Sequence, residues 1–255
     1  IYQCDWSSDV CSSDLILVNI PASAAIDFSD NPSNAATQFS ITSDRTAPAP
    51  TITTTSPTKS NTLAGTATDA NTVTLVEVST NNGSTFTTAT GTTSWSLDIS
   101  ALNDGTYNVK IRTTDNAGNT ATSETSTIQI NRTAPTPTIT STQSSPTKAN
   151  PINFQVTFDE AVTEFDATDI TLGGTSSPAV VANFVATNST YYTFDVAPPK
   201  DGTITVNINA GAAKDTATNN SNAATQFSIT SDRTAPKITV PSNIAQEPED
   251  EAGKI

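Results

Sequence analysis

Carboxylates and amides are the groups in this chain that could do chemistry. Its 255 residues carry 25 acidic and 11 basic side chains, a formal charge of −14, and no histidine. Without histidine, a Ser-His-Asp triad, a Cys-His pair and a histidine-ligated zinc are all excluded within the sequence. No phosphate-binding loop occurs, since Gly173-Gly174 has no following lysine. Adjacent carboxylates such as Asp159-Glu160 are of the type a glycosidase uses, but their ordinary place is a solvated loop. Oxygen-rich turns suit a hard divalent cation better. Calcium takes six to eight oxygens from carboxylates, amides and carbonyls. The charge also bears on partners. Nucleic acid calls for clustered Lys and Arg, so none is expected here. No apolar run is long enough to cross a membrane, so no membrane insertion is expected in this segment.

The first fifteen residues stand apart. Asp5 to Leu15 reads DWSSDVCSSDL, which resembles a short-read sequencing adapter translated in one frame, so residues 1–15 are set aside as an artefact. Both cysteines, Cys4 and Cys11, lie there, and without Asp5, Asp9 and Asp14 the charge falls to −11. With no Met in the chain, no start codon is represented. The chain is expected to be a fragment at both ends.

Internal repetition is the strongest organising signal. Ser33–Pro48 reads SNAATQFSITSDRTAP, and Ser221–Pro236 repeats it without a change, 188 positions later. Thr-Ala-Pro recurs at Thr46-Ala47-Pro48, Thr133-Ala134-Pro135 and Thr234-Ala235-Pro236, at spacings of 87 and 101. Proline fixes φ and stiffens a connection, so these triplets mark joints. The expected organisation is therefore 16–47, the C-terminal part of a truncated domain; 48–134, a complete domain; 135–235, a complete domain of another type; and 236–255, the start of a further one.

Both complete domains read as strands. Ile152, Phe154, Val156 and Phe158 alternate with Asn153, Gln155 and Thr157, and Tyr107, Val109 and Ile111 alternate in the same way. Period two buries one face and leaves the other wet. Turns such as Asn82-Gly83, Asp104-Gly105 and Asp201-Gly202 separate the runs. Seven strands are predicted in the first domain, near Ile52, Leu63, Leu75, Phe86, Trp95, Val109 and Ile128. Seven more are predicted in the second, near Ile139, Phe154, Ile170, Val181, Phe194, Val206 and Phe227. The fold class is all-β: tandem antiparallel sandwiches with no helical domain.

The stretches Leu102-Asn103-Asp104-Gly105-Thr106-Tyr107 and Asp115-Asn116-Ala117-Gly118-Asn119 resemble bacterial immunoglobulin-like domains. Phe158 to Val162 followed by Phe165 to Ile170 is similar to a second subfamily of that class. Pro236 to Ile244 resembles the opening of a hyalin repeat. The resemblance implies a tyrosine corner at Tyr107. It places the chain with disulfide-free relatives, because Val109 stands where an antibody domain has cysteine. It also implies that an inter-domain linker meets the B–C and F–G loops, where some such domains hold calcium. One calcium set would be Asp44, Asp69, Asp115 and Asn116; the other, Asn131, Asp159, Glu160 and Asp215. Asp and Asn also favour such turns without any metal.

Trp95 shares the apolar parity of Leu97 and Ile99, which fits a core role better than sugar stacking, whereas Tyr191 lies off the inward register and is the better exposed candidate. Asn82, Asn131, Asn188 and Asn219 each fit the glycosylation pattern. The expected function is a non-catalytic spacer in a secreted or cell-surface protein, of the adhesin-stalk kind, with an unidentified protein or glycan ligand on another surface. The alternative is an accessory spacer or polysaccharide-binding region of a secreted hydrolase.

Overall fold

The structure, a computed structural model, describes residues 13–239. The adapter-like reading and the hyalin-like start therefore fall largely outside the described residues. Two compact units divide the chain: Ile1–Ala134 together with Lys214–Asn220, and Pro135–Ala213 together with Ser221–Ile255.

In the first unit, β1 (Ser13–Val18) and β2 (Phe39–Asp44) form a two-stranded antiparallel ribbon. The sandwich that follows uses β3 (Ala49–Ile52), β4 (Thr62–Thr68), β5 (Val73–Ser79), β6 (Thr87–Thr88), β7 (Ser94–Asp98), β8 (Gly105–Asp115), β9 (Thr120–Thr122) and β10 (Ser126–Ile130). One sheet runs β3-β4-β7 and the other β10-β8-β5-β6, with β9 paired to β8. Alternation sorts the side chains as period two requires. Leu63 and Ala67 from β4, Trp95 from β7, Val76 and Val78 from β5, Val109 and Ile111 from β8 and Ile128 and Ile130 from β10 meet in one core. Phe86 lies one residue before β6, and β9, a polar Thr-Ala-Thr strand, is an addition to the seven predicted.

Gly65 occupies the centre of β4, opposite Ile52 on one side and Trp95 on the other. A Cβ there would lie 2.0 Å from the Thr51 carbonyl oxygen and 2.4 Å from the indole Cζ2 of Trp95. Only a residue without a side chain fits that approach.

The second unit contains β11 (Pro137–Ser141), β12 (Ile152–Phe158), a 3₁₀ turn (Ala167–Asp169), β13 (Ile170–Gly173), β14 (Val181–Ala186), β15 (Tyr191–Val196), β16 (Gly202–Ile208) and β17 (Phe227–Ser231). Its sheets run β11-β12-β15-β14 and β13-β16-β17. The core is aromatic where the first is aliphatic. Phe154 stacks on Phe194 at 5.1 Å and meets the ring of Phe227 edge-on at 5.9 Å. Phe165 meets Tyr192 at 4.9 Å and Phe158 at 5.2 Å. Offset and edge-on pairs add about 0.5–1.5 kcal/mol each to the burial of the rings. With no cysteine among residues 16–255, packing and hydrogen bonding carry the stability of both sandwiches.

Candidate metal centre and joint contacts

The sites lie where strands end in short polar turns. β4 runs out into Asp69-Ala70-Asn71, and Asp69 Oδ1 accepts the Asn71 backbone N–H at 2.7 Å, an Asx turn. β8 ends at Asp115, where the chain turns through Asn116–Asn119 with Gly118 at φ +92°. Asp115 Oδ1 accepts the Asn119 backbone N–H and Oδ2 accepts its side-chain Nδ2, both at 2.8 Å. The same Nδ2 donates to the main-chain carbonyl of Asp44 at 3.1 Å. Asp44, the last residue of β2, accepts from Asn71 Nδ2 on its Oδ2 at 2.6 Å.

These bonds draw Asp44, Asp69 and Asp115 together, each offering one carboxylate oxygen within 4.8 Å of the others. Asp115 is buried and the other two are half-buried. Asp69 Oδ2 is buried and accepts no hydrogen bond. An orphaned buried carboxylate oxygen costs free energy unless something positive meets it. Asn116 lines the open cleft of about 560 Å³ beside them, with Thr42, Asp44, Ala70, Asn71, Thr72 and Ala117. Three carboxylates, one with an unsatisfied oxygen, fit a hard cation.

The second expected set divides between the two units. In the first unit, Asp215 repeats the Asp115 arrangement. Its Oδ1 accepts the Asn219 backbone N–H at 2.7 Å and its Oδ2 accepts Asn219 Nδ2 at 2.8 Å. Asn219 Nδ2 also donates to the Asn131 carbonyl at 2.9 Å, and Asn131 Nδ2 donates to Asp215 Oδ2 at 3.0 Å. In the second unit, Asp159 Oδ1 accepts the Thr136 backbone N–H at 2.7 Å, and Glu160 follows it half-buried. The amide nitrogens of Asn131 and Asn219 that a glycan would take are thus engaged.

Two further contacts went unpredicted. Asp104 Oδ2 accepts the backbone N–H groups of Arg132 and Thr133, at 2.8 and 3.0 Å, and the Thr133 hydroxyl at 2.8 Å. The Arg132 guanidinium donates to the carbonyls of Leu102, Ile99 and Ser60. Asp201 holds Arg233 and Thr234 in the same way in the second unit. The signal was present as an Arg before every Thr-Ala-Pro triplet, at Arg45, Arg132 and Arg233, with Asp-Gly-Thr at 104 and at 201. The Tyr107 hydroxyl donates to the Asn103 carbonyl at 2.9 Å, and Trp95 is buried in the core. Tyr191 is half-buried at the start of β15.

These carboxylates set the pH response. Backbone donation from Arg132 leads the effects holding Asp104 below its ordinary value near 3.8. The Thr234 hydroxyl leads those lowering Asp201. At Asp115 burial opposes ionisation, but hydrogen bonds from Asn119, Ala117 and Gly118 together outweigh it and the carboxyl stays low. A depressed folded value stabilises the fold above the unfolded value and loses that stability as pH falls through the folded one. With no histidine to titrate, the melting midpoint should be flat from about pH 5 to 7 and should drop below about pH 4. A midpoint that holds or rises on acidification to pH 3 would contradict this.

Two family models, each described as a bacterial Ig-like domain, match the chain, one at residues 32–132 and the other at 131–231. The search of curated proteins gives no match. Among solved structures, the fibronectin(III)-like modules of Clostridium thermocellum CbhA are similar at 15% identity, covering 72% of this chain and 93% of theirs, with a TM-score of 0.36. The D00-D0 domain of Intimin is similar at 15% identity, covering 72% and 98%, with a TM-score of 0.38. The FN1-FN3 domains of chicken CNTN1 are similar at 11% identity, covering 79% and 70%, with a TM-score of 0.34. From residue 32 to residue 231 the chain belongs to the bacterial Ig-like domains, two of them in tandem and of two different types.

Proposed function

We propose that this chain is a non-catalytic spacer from a large secreted or cell-surface protein of the adhesin-stalk kind, and that the joint before its first complete sandwich is stiffened by calcium. Tandem bacterial Ig-like domains suit a structural spacer or surface module, and such domains are typically non-catalytic and extracellular. The observation that carries the reading is the fastening of Asp44, the last residue of β2, to both loops it faces. Its main-chain carbonyl is held by Asn119 and its carboxylate by Asn71. A linker tied at both backbone and side chain resists bending, which a spacer requires.

Calcium supplies one thing when bound: positive charge among three carboxylates. Asp44, Asp69 and Asp115 would hold it. Asn71 and Asn119 would keep Asp44 in place for it through their amide nitrogens.

Recovering the whole open reading frame by long-read sequencing of the source locus tests the spacer reading. Many such domains with a secretion signal and a surface anchor would support it. A hydrolase domain beside only a few of them would overturn it in favour of an accessory region of that enzyme.

A further inference from the structure

The two copies of the sixteen-residue repeat fold alike and end in different surroundings. Val18 pairs with Phe39 and Ile16 with Ile41, while Val206 pairs with Phe227 and Ile204 with Ile229. Gln38 Nε2 donates to Asn19 Oδ1 at 2.7 Å, as Gln226 Nε2 does to Asn207 Oδ1 at 2.8 Å. The Ala25 N–H reaches Ser33 Oγ and the Ala213 N–H reaches Ser221 Oγ, each at 3.1 Å. The ribbon β1–β2 is therefore already in the register its counterpart holds inside a finished sandwich.

What differs is cover. Ile204, Val206, Ile208 and Ile229 are at most 1% exposed, whereas Ile16, Val18, Ile20 and Ile41 are 47–52% exposed. In the second unit the covering face is the sheet β11-β12-β15-β14, with Phe154 edge-on to Phe227. Phe39, which matches Phe227, is 60% exposed. A row of apolar side chains with the alternation of a core is a half-built interface.

The turn beside it shows a second mark. Asp27 accepts from the backbone and side-chain N–H groups of Asn31, at 2.9 and 3.0 Å, as Asp115 does from Asn119 and Asp215 from Asn219. In those two loops the asparagine Nδ2 also holds a linker carbonyl, that of Asp44 or Asn131. Asn31 Nδ2 instead makes a longer second contact, to Asp27 Oδ1 at 3.3 Å, and a linker carbonyl would take that weaker contact's place, since an amide nitrogen has two protons to give.

We infer that residues 16–44 are the second half of a sandwich, and that the first half is a segment of the same class as residues 137–196, preceded by a linker residue whose carbonyl meets Asn31. The occupant is thus defined by chemistry: four strands with an inward Ile-x-Phe-x-Val-x-Phe face like that of β12, and a fifth strand like β13 on the outer edge of β1. The inference stands whether or not the domains act as a spacer, and its failure leaves that reading untouched.

The test uses the full chain and an extended one, in which a copy of residues 131–203 replaces residues 1–15. In the full chain, the amides of Ile16–Ile20 and Phe39–Ile41 should exchange rapidly at every protein concentration, because an isolated ribbon is marginal. In the extended chain their exchange should slow by about 10³-fold or more, to the rates of 204–208 and 227–229. Ile41→Asp should leave the melting of the full chain unchanged and abolish the added protection in the extended chain. Unchanged exchange in the extended chain would overturn the inference. So would protection in the full chain that grows with concentration, since a second copy would then be the occupant.

Discussion

Gly65→Ala should unfold the first sandwich or leave it barely stable while the second remains intact. The reason is space, since the φ of Gly65 lies outside the left-handed region and its backbone demands no glycine. The new methyl would strike the Thr51 carbonyl oxygen at 2.0 Å and the Trp95 ring at 2.4 and 2.7 Å. Thr51 belongs to β3, so its oxygen can retreat only by breaking the β3–β4 ladder. The indole is 2% exposed and packed within the core, and close-packed interiors leave little room for a ring to move. Overpacking costs about 1–3 kcal/mol where neighbours can shift. Here a backbone atom and a buried ring must both move, so about 3–5 kcal/mol is expected, a large share of a small domain's stability. Trp95 is the sole tryptophan outside the first fifteen residues, so its fluorescence in a denaturant titration follows this sandwich. A midpoint within error of the parent chain would show that the approach is looser than described. Shrinking the indole as well, with Trp95→Leu and unfolding followed by circular dichroism, should recover part of the loss and leave the clash with Thr51.

The second large effect separates the three carboxylates. At 10 mM calcium and a dissociation constant of about 1 mM, typical of extracellular modules, binding adds about 1.4 kcal/mol. For a domain of this size the first melting transition should then rise by about 5–10 °C relative to chelator. Asp69→Asn and Asp115→Ala should both abolish that rise. Without calcium they should part company. Asp69→Asn removes one of three crowded charges at an oxygen that accepts no hydrogen bond, so it should be neutral or stabilising. Asp115→Ala removes the acceptor of two bonds from Asn119 and frees the amide that holds the Asp44 carbonyl, so it should lower the midpoint. No calcium response in the parent chain would remove the metal. An equal loss for both variants in chelator would remove the distinction between them.

Most of the fold was legible because period two survives translation into burial. Ile152, Phe154, Val156 and Phe158 were read as one face, and all four are at most 2% exposed. Thirteen of the fourteen predicted centres fall inside strands and Phe86 beside one. β9 escaped because Thr-Ala-Thr has no apolar alternation to announce it; it pairs with β8. At the site, Asp44, Asp69 and Asp115 were named in advance, because the resemblance implies that the linker meets the two loops that carry these acidic residues. The holding role of Asn71, Asn119 and Asn219 was not read, because an asparagine in a turn has many uses. The recurrence of Asp-x-x-x-Asn at 27, 115 and 215 was the signal that marked them. The role of Gly65 had no signal, because it depends on which two strands flank β4.

Ser33–Pro48 and Ser221–Pro236 are the same peptide, so β16 has no local means of telling β17 from β2. Chain connectivity decides between them. The loop that closes β16 on β17 is short, while the loop back to β2 runs through the whole intervening domain. Roughly eightfold in length makes the wrong closure about 2 kcal/mol less favourable. Setting a domain of another type between identical ones thus keeps each strand nearest its own partner during folding. A concatenation of identical neighbours would lack that protection against strand exchange.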